Sequence, residues 1–192
     1  MGKIQMGPQT LVYPMPALLV GANVDDRANF MTVAWAGIAN SEPPMISVAI
    51  RHQRHTLRGV RQNMTFSVNV PSTDLVEEVD YCGMTSGRKN DKTEICEFKV
   101  FYGELNNAPL IEQCPVNLEC EVAHILSLGR HALVIGKIIQ THVSEVCLTG
   151  GKPDSSKIRP FAYTPMPAAQ YHALGDVVAK AFYAGRELKP KQ

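Results

Sequence analysis

The chain has 192 residues, enough for one domain with a sizeable core. Its 19 Lys plus Arg almost balance 18 Asp plus Glu, for a formal net charge of +1, which argues against a general nucleic-acid or membrane-surface binder. Five cysteines, an odd number with no C-x-x-C pair, argue against a disulfide framework or a structural zinc site. The opening M-G-K-I-Q-M-G-P-Q-T lacks the apolar core of a signal peptide, and no apolar run approaches the roughly 20 residues of a membrane span. A cytoplasmic protein with reduced thiols is the expectation.

Taken in chain order, Leu18–Val24 (L-L-V-G-A-N-V) reads as a strand that turns at Asp25 to Arg27 and pairs with a second strand over Asn29–Ala36. Pro43 and Pro44 impose an extended turn, and Ile46–Ile50 forms the third strand. A short helix is expected over Thr56–Asn63, capped by Thr56, with Leu57 and Val60 inward and Arg61 outward. Phe66–Val70 alternates cleanly, which places Phe66, Val68 and Val70 on a core face. A second helix runs from Ser72 to Tyr81 and stops near Gly83, and the polar stretch Met84–Thr93 is a loop.

Asn106, Asn107 and Pro109 mark a turn. Val116–Val122 is the clearest strand, with Val116, Leu118, Cys120 and Val122 alternating against Asn117, Glu119 and Glu121. Gly129-Arg130 turns the chain into a long strand, His131–Val143, in which Gly136 signals a bulge or close approach. Thr149–Ser156 is a loop. From about residue 158 a Pro- and Tyr-rich extension wraps the body and ends in a helical piece around Asp176–Tyr183. Short strands with helical inserts and no βαβ alternation point to a small antiparallel barrel, mainly β with α, as a single domain over 1–192.

The chemistry concentrates where Ile50 gives way to R-H-Q-R-H-T. Arg51, Arg54 and Thr56 arrive there at a helix start, where free N–H groups and the positive end of the dipole favour an anion. S-G-R-K-N-D-K, Ser86 to Lys92, is a second cationic cluster. The bland reading of each is solvated surface charge; the helix start favours a phosphate site. No P-loop, G-x-G-x-x-G, G-x-S-x-G or H-E-x-x-H pattern is present. His52 and His55 lack a third ligand nearby, so no metal is expected. Trp35, the only tryptophan, reads as core within an apolar strand, with Asn40 and Ser41 at the following turn. Cys82 is the cysteine placed nearest a site. His131 is either a turn-side residue or a hydrogen-bonding group at a ligand's rim.

The ordered set N-F-M-T-V-A-W, S-E-P-P-M-I-S-V-A-I, R-H-Q-R-H-T, F-S-V-N-V, Y-C-G-x-x-S-G-R-x-x-D-K and G-R-H-A-L-V-I-G-K-I resembles the flavin reductase-like proteins with the FMN-binding split barrel, and the tail Y-H-A-L-G…A-F-Y-A-G resembles their flavoredoxin group. The resemblance runs from about Pro14 to Gly185. It implies an antiparallel, Greek-key-like split β-barrel that forms a homodimer and binds FMN near the dimer interface. Carried onto this chain, it implies that Arg51, Thr56 and Lys92, joined by Arg54 and Ser86, hold the flavin phosphate. The ring would lie along Thr32, Val33, Ala34, Trp35, Asn40 and Ser41, and His131 would stand near the flavin or an incoming nicotinamide as the candidate catalytic residue. The activity implied is either flavoredoxin-type electron transfer with a redox protein partner or NAD(P)H-dependent flavin or ferric reduction. A non-catalytic module for another phosphate ligand, or for haem, stays open beside it.

Overall fold

The computed structural model describes residues 2–188; residue 1 and residues 189–192 of the expected single domain lie outside the described residues. The chain enters through β1 (Met15–Pro16) and lays down β2 (Leu18–Val24), β3 (Arg27–Val33), β4 (Ala36–Ser41) and β5 (Pro44–Arg51). Helix α1 (His55–Asn63) leads to β6 (Thr65–Val70), then α2 (Val76–Met84) and α3 (Lys92–Ile95). The pair β7 (Val100–Phe101) and β8 (Leu110–Ile111) precedes the long hairpin of β9 (Val116–Leu128) and β10 (His131–Val143). β11 (Leu148–Thr149), β12 (Lys152–Pro153), α4 (Ser155–Ile158), β13 (Phe161–Thr164) and β14 (Gln170–Ala173) complete the succession.

Seven strands form one antiparallel sheet in the order β3-β2-β6-β9-β10-β5-β4. A single apolar cluster takes Val20 and Ala22 from β2, Met31 and Val33 from β3, Val48 and Ile50 from β5, and Phe66 and Val68 from β6. Strands at both ends of the order share that core, so the sheet curls around it in a split-barrel-like arrangement, and α1 adds Leu57 and Val60. A second cluster covers the other face of β2 and β3 with Val79 and Cys82 of α2, Phe98, Ile111, Cys114 and Phe161. Burial on both faces is why Leu18–Val24 reads as a continuous apolar run rather than an alternation. Each large side chain so buried contributes about 1.5–3 kcal/mol.

The turn after β2 is made by Asp25 and Asp26, both in the left-handed region at φ 50° and 61°, and Arg27 already belongs to β3. The expected strand over Asn29–Ala36 is interrupted: the chain bends at Ala34–Trp35 and restarts as β4. Trp35 is therefore 41% exposed and not a core residue. β6 keeps Phe66 and Val68 inward, while Val70 is half-buried. Its polar positions are covered too. Asn69 Nδ2 donates to Leu19 O at 3.1 Å, and Asn69 Oδ1 accepts from Ile111 N at 3.0 Å and from Asn117 Nδ2 at 2.8 Å.

The second helix starts as a 3-10 turn over Thr73–Leu75 with Ser72 as its cap, then continues through Gly83 to Met84. The expected loop Met84–Thr93 ends in α3, capped by Asp91 Oδ1 accepting from Thr93 N and Glu94 N at 2.9 and 3.2 Å. β9 extends to Leu128, beyond the expected Val122, because it pairs with β10 to the tip of the hairpin. Gly136 sits at a register shift, where an added Cβ would lie 2.5 Å from the Phe66 ring. The expected helical piece at Asp176–Tyr183 is not present; the helical turn there is 3-10 at Arg186–Leu188. Among the described residues no helix is long and apolar enough to cross a membrane.

Candidate functional site

Three segments that are distant in sequence meet at the start of α1. They are the β5 end with Arg51 and Arg54, the α1 start with His55 and Thr56, and the α2–α3 connection with Ser86, Gly87 and Lys92. Together with Met31, Gln53 and the Gly83–Thr85 backbone they line a cleft of about 330 Å³ in which no residue is acidic. Arg54 is the N-cap of α1 in extended conformation, and no side chain caps the helix. The expected cap, Thr56, is instead buried, with Oγ1 accepting from Asn29 Nδ2 at 2.6 Å. Leu57 N already reaches Arg54 O at 3.2 Å, but His55 N and Thr56 N have no backbone or side-chain partner among the described residues, which leaves these two N–H groups free for a ligand.

The electrostatics of the cleft are one-sided. Burial and then repulsion from Arg51 hold the Arg54 guanidinium below its ordinary pKa. Lys92 is only 3% exposed, and its Nζ donates to Phe30 O at 2.8 Å and Cys82 O at 3.0 Å. An ammonium has three N–H donors, so one remains uncommitted among the described residues. Burial pushes the Lys92 pKa down, since neither carbonyl neutralises its charge. His55 Nδ1 is buried without a hydrogen-bond partner among the described residues. A buried polar atom left alone and a group of uncompensated cations both point to a missing anion.

A larger cleft of about 580 Å³ continues from Arg51 and Arg54 along Thr32, Val33, Ala34 and Trp35 to His131. β3 ends the strand order, so alternate backbone groups along its outer edge lack a ladder partner. The Thr32 hydroxyl is already used, donating to Val79 O. His131 pairs in register with Arg51 across β10 and β5, and its ring stacks on Trp35 with centroids 4.7 Å apart and planes tilted by 33°. Burial, followed by Arg51, His52 and Arg130, holds the His131 pKa below its usual value, which favours the neutral imidazole.

Asn40 and Ser41 are not brought to this cleft within one chain. They stand at the far end of β4, about 13–17 Å along the strand from Ala36, with Asn40 Nδ2 bound to Pro43 O at 2.9 Å. Cys82 does lie beside the site, fully buried, with its backbone carbonyl holding Lys92 and its thiol pushed up to about 12, mainly by burial. No group of three metal-ligating side chains is found among the described residues.

The flavin reductase like domain family model matches residues 10–151. A protein of Archaeoglobus fulgidus is 31% identical over 143 residues, which is 74% of this chain and 80% of that one. The chain belongs to the flavin reductase-like family. Among solved structures, the flavoredoxin of Methanosarcina acetivorans is 40% identical with TM-score 0.94, covering 98% of this chain and 100% of its own. Flavoredoxin of Desulfovibrio vulgaris is 36% identical with TM-score 0.90, covering 96% and 100%.

The family match includes both cationic segments and His131 but stops before the C-terminal hairpin. That hairpin nevertheless lines the larger cleft through Tyr163, Pro165, Met166 and Tyr171, opposite Asp80 and Met84. Tyr171 Oη donates to Asp80 Oδ1 at 3.0 Å, and burial together with that bond pushes its pKa up. Sequence reasoning missed these residues. The Pro- and Tyr-rich composition after residue 158 was their only signal.

Proposed function

We propose that this member of the flavin reductase-like family binds FMN and acts as a redox flavoprotein, either a flavoredoxin-type electron carrier or an NAD(P)H-dependent flavin or ferric reductase. The observation that carries this reading is the anion-shaped deficit at the α1 start: Arg51, Arg54 and Lys92 with no facing carboxylate, an uncapped helix and an orphaned His55 Nδ1. It opens directly into a cleft that suits a planar heterocycle between the β3 edge and Trp35–His131. Identity of 36–40% to flavoredoxins over nearly the whole chain supports the same reading.

A bound flavin supplies transfer of one or two electrons; the protein supplies position and electrostatics. In this assignment Arg51 and Arg54 neutralise the phosphate, with Thr56 and Ser86 beside them, and Lys92 adds its third N–H. The outer backbone edge of β3 at Thr32 meets the polar rim of the ring. Neutral His131 offers a hydrogen bond at the open side without placing a fixed cation there, and Trp35 walls off water. No side chain is required as nucleophile.

Assembly as a homodimer completes the proposal. β4 is an end strand whose residues from Gly37 onward are all exposed, including Ile38, and such an edge needs cover. Val177, Val178 and Phe182 of the C-terminal segment are fully exposed as well. Five unpaired cysteines support a reducing, cytoplasmic setting.

The visible spectrum of the purified protein is the first test. Oxidised-flavin bands, present on isolation or after reconstitution with FMN, support the assignment; a colourless protein that cannot be reconstituted overturns it. Stopped-flow mixing with NADH and NADPH then separates the branches. Rapid bleaching identifies a reductase, and reduction by a protein donor alone identifies a carrier. Light scattering on the eluting peak reads the dimer.

A further inference from the structure

We propose that the C-terminal arm of a second copy of this chain, the residues from 174 onward, docks in the groove between α2, α3 and β14. This rests on the homodimer proposed above. The groove is a cleft of about 760 Å³. Into it α2 and α3 present Met84 and Ile95, large apolar side chains that are 73% and 53% exposed. Covering such side chains favours association, and an apolar face with a charged margin is the usual form of an interaction surface.

The groove is as one-sided in charge as the phosphate cleft, with the opposite sign. Glu77, Glu78, Asp80 and Glu97 line it, and no lysine, arginine or histidine does. Asp80 is held by Tyr171 Oη, whereas Glu77 and Glu97 make no ion pair among the described residues. Glu78 Oε2 is buried without a hydrogen-bond partner among the described residues, the acidic counterpart of His55 Nδ1. An acceptor so placed is satisfied by a donor that this copy does not supply.

The arm has the matching composition. Val177, Val178 and Phe182 are bare, so this stretch leaves its own body without packing on it. Lys180 and Arg186 stand among them, and neither has an ion-pair partner among the described residues. Residues 174–192 hold four Lys and Arg against two Asp and Glu, a net +2 to set against the four carboxylates of the groove. Residues 174–180 have no regular secondary structure. Seven extended residues reach roughly 23–25 Å, enough to cross to a neighbouring copy. The exchange is mutual in a two-fold dimer, each arm lying on the other copy's groove. Asp80, Met84, Ala169 and Tyr171 line both this groove and the larger cleft, so a docked arm backs the wall of the proposed flavin site.

The test is zero-length crosslinking of the full chain with a carbodiimide, which joins a lysine amine to a carboxylate with net loss of water. Denaturing electrophoresis and peptide mass mapping then read the product. A covalent dimer in which an arm lysine is joined to Glu77 or Glu97 is expected. Deleting the chain from residue 174 is expected to weaken dimerisation about tenfold or more in sedimentation runs, as loss of an aromatic anchor does. Glu77→Lys with Glu97→Lys should weaken it too, and adding Lys180→Glu with Arg186→Glu should restore it, which shows that the variants fold. The same linkage within a monomer-sized product places the arm on its own copy and overturns the proposal. So does a dimer linked through Glu42 between β4 and β5, a dimeric sample with no arm linkage, or a dimer affinity unmoved by the deletion. Each of these leaves the homodimer standing. A monomer by light scattering overturns homodimer and arm together, and the visible spectrum judges the flavin assignment independently.

Discussion

Two ionic side chains are almost completely buried among the described residues, and they are treated in opposite ways. Glu119 on β9 is wholly buried, and its carboxylate accepts from His142 Nε2 at 2.7 Å, Glu104 N at 3.1 Å and Leu105 N at 2.6 Å. Lys92 is 3% exposed and has two carbonyls but no anion. The first charge is closed within the fold. The second is left open, in the company of Arg51 and Arg54. A buried charge satisfied on all sides is structural; a buried charge short of a counterion is a request for a ligand.

That contrast can be broken by experiment. Glu119→Ala strands His142 and two backbone N–H groups, and should cost about 3–5 kcal/mol of folding stability in urea titrations. Flavin affinity of the remaining folded protein should be unchanged. A loss below about 1 kcal/mol would remove Glu119 from the structural class. Arg51→Ala should do the reverse: flavin affinity falls by about 1.5–3 kcal/mol by fluorescence titration, while the ligand-free melting temperature holds. Unaltered affinity would show that the phosphate lies elsewhere.

Lys92 sharpens the comparison through pH. Its folded pKa is depressed by burial. Between that value and the ordinary value of about 10.4 the unfolded chain binds more protons, so stability rises with pH across that window. Ligand-free wild type should therefore gain on Lys92→Met as pH climbs toward 10, and saturating FMN should flatten the trend. A constant difference would mean that the ammonium is already neutralised. Smallest of all, Asp25→Ala removes an exposed pair with Arg58 and should change stability by less than about 1 kcal/mol.

The strand framework was readable where periodicity and turn residues agree. Leu18–Val24 and His131–Val143 match residue for residue, because Asp25-Asp26 and Gly129 end them and one face is continuously apolar. The cationic hexapeptide was readable as well, since charge next to a helix start is a local signal. Burial of polar residues was not. Glu119 and Asn117 fall on the polar side of an alternation, and only the segments around Glu104 and Ile111, folding back over β9, show that both are inside. Lys92 reads as one more loop cation until Phe30 O, from a strand far back in the chain, is found beneath it. Trp35 was misplaced for a related reason: the bend that turns it outward depends on pairing of β4 with β5, not on its own neighbours.

The hairpin of β13 and β14 forms one wall of the larger cleft yet lies beyond the segment that the family shares. The wall is fastened to the body by Phe161 in the second apolar cluster, by β13 pairing with β1, and by Tyr171 on Asp80. On the proposed function, exchanging the residues of this hairpin that face the larger cleft, Tyr163 and Met166, should alter which molecules reach a bound flavin and leave its anchorage alone, a difference readable as changed oxidant preference at constant flavin retention. Diversification of such a protein's clientele would then need only a recut visor on the same helmet.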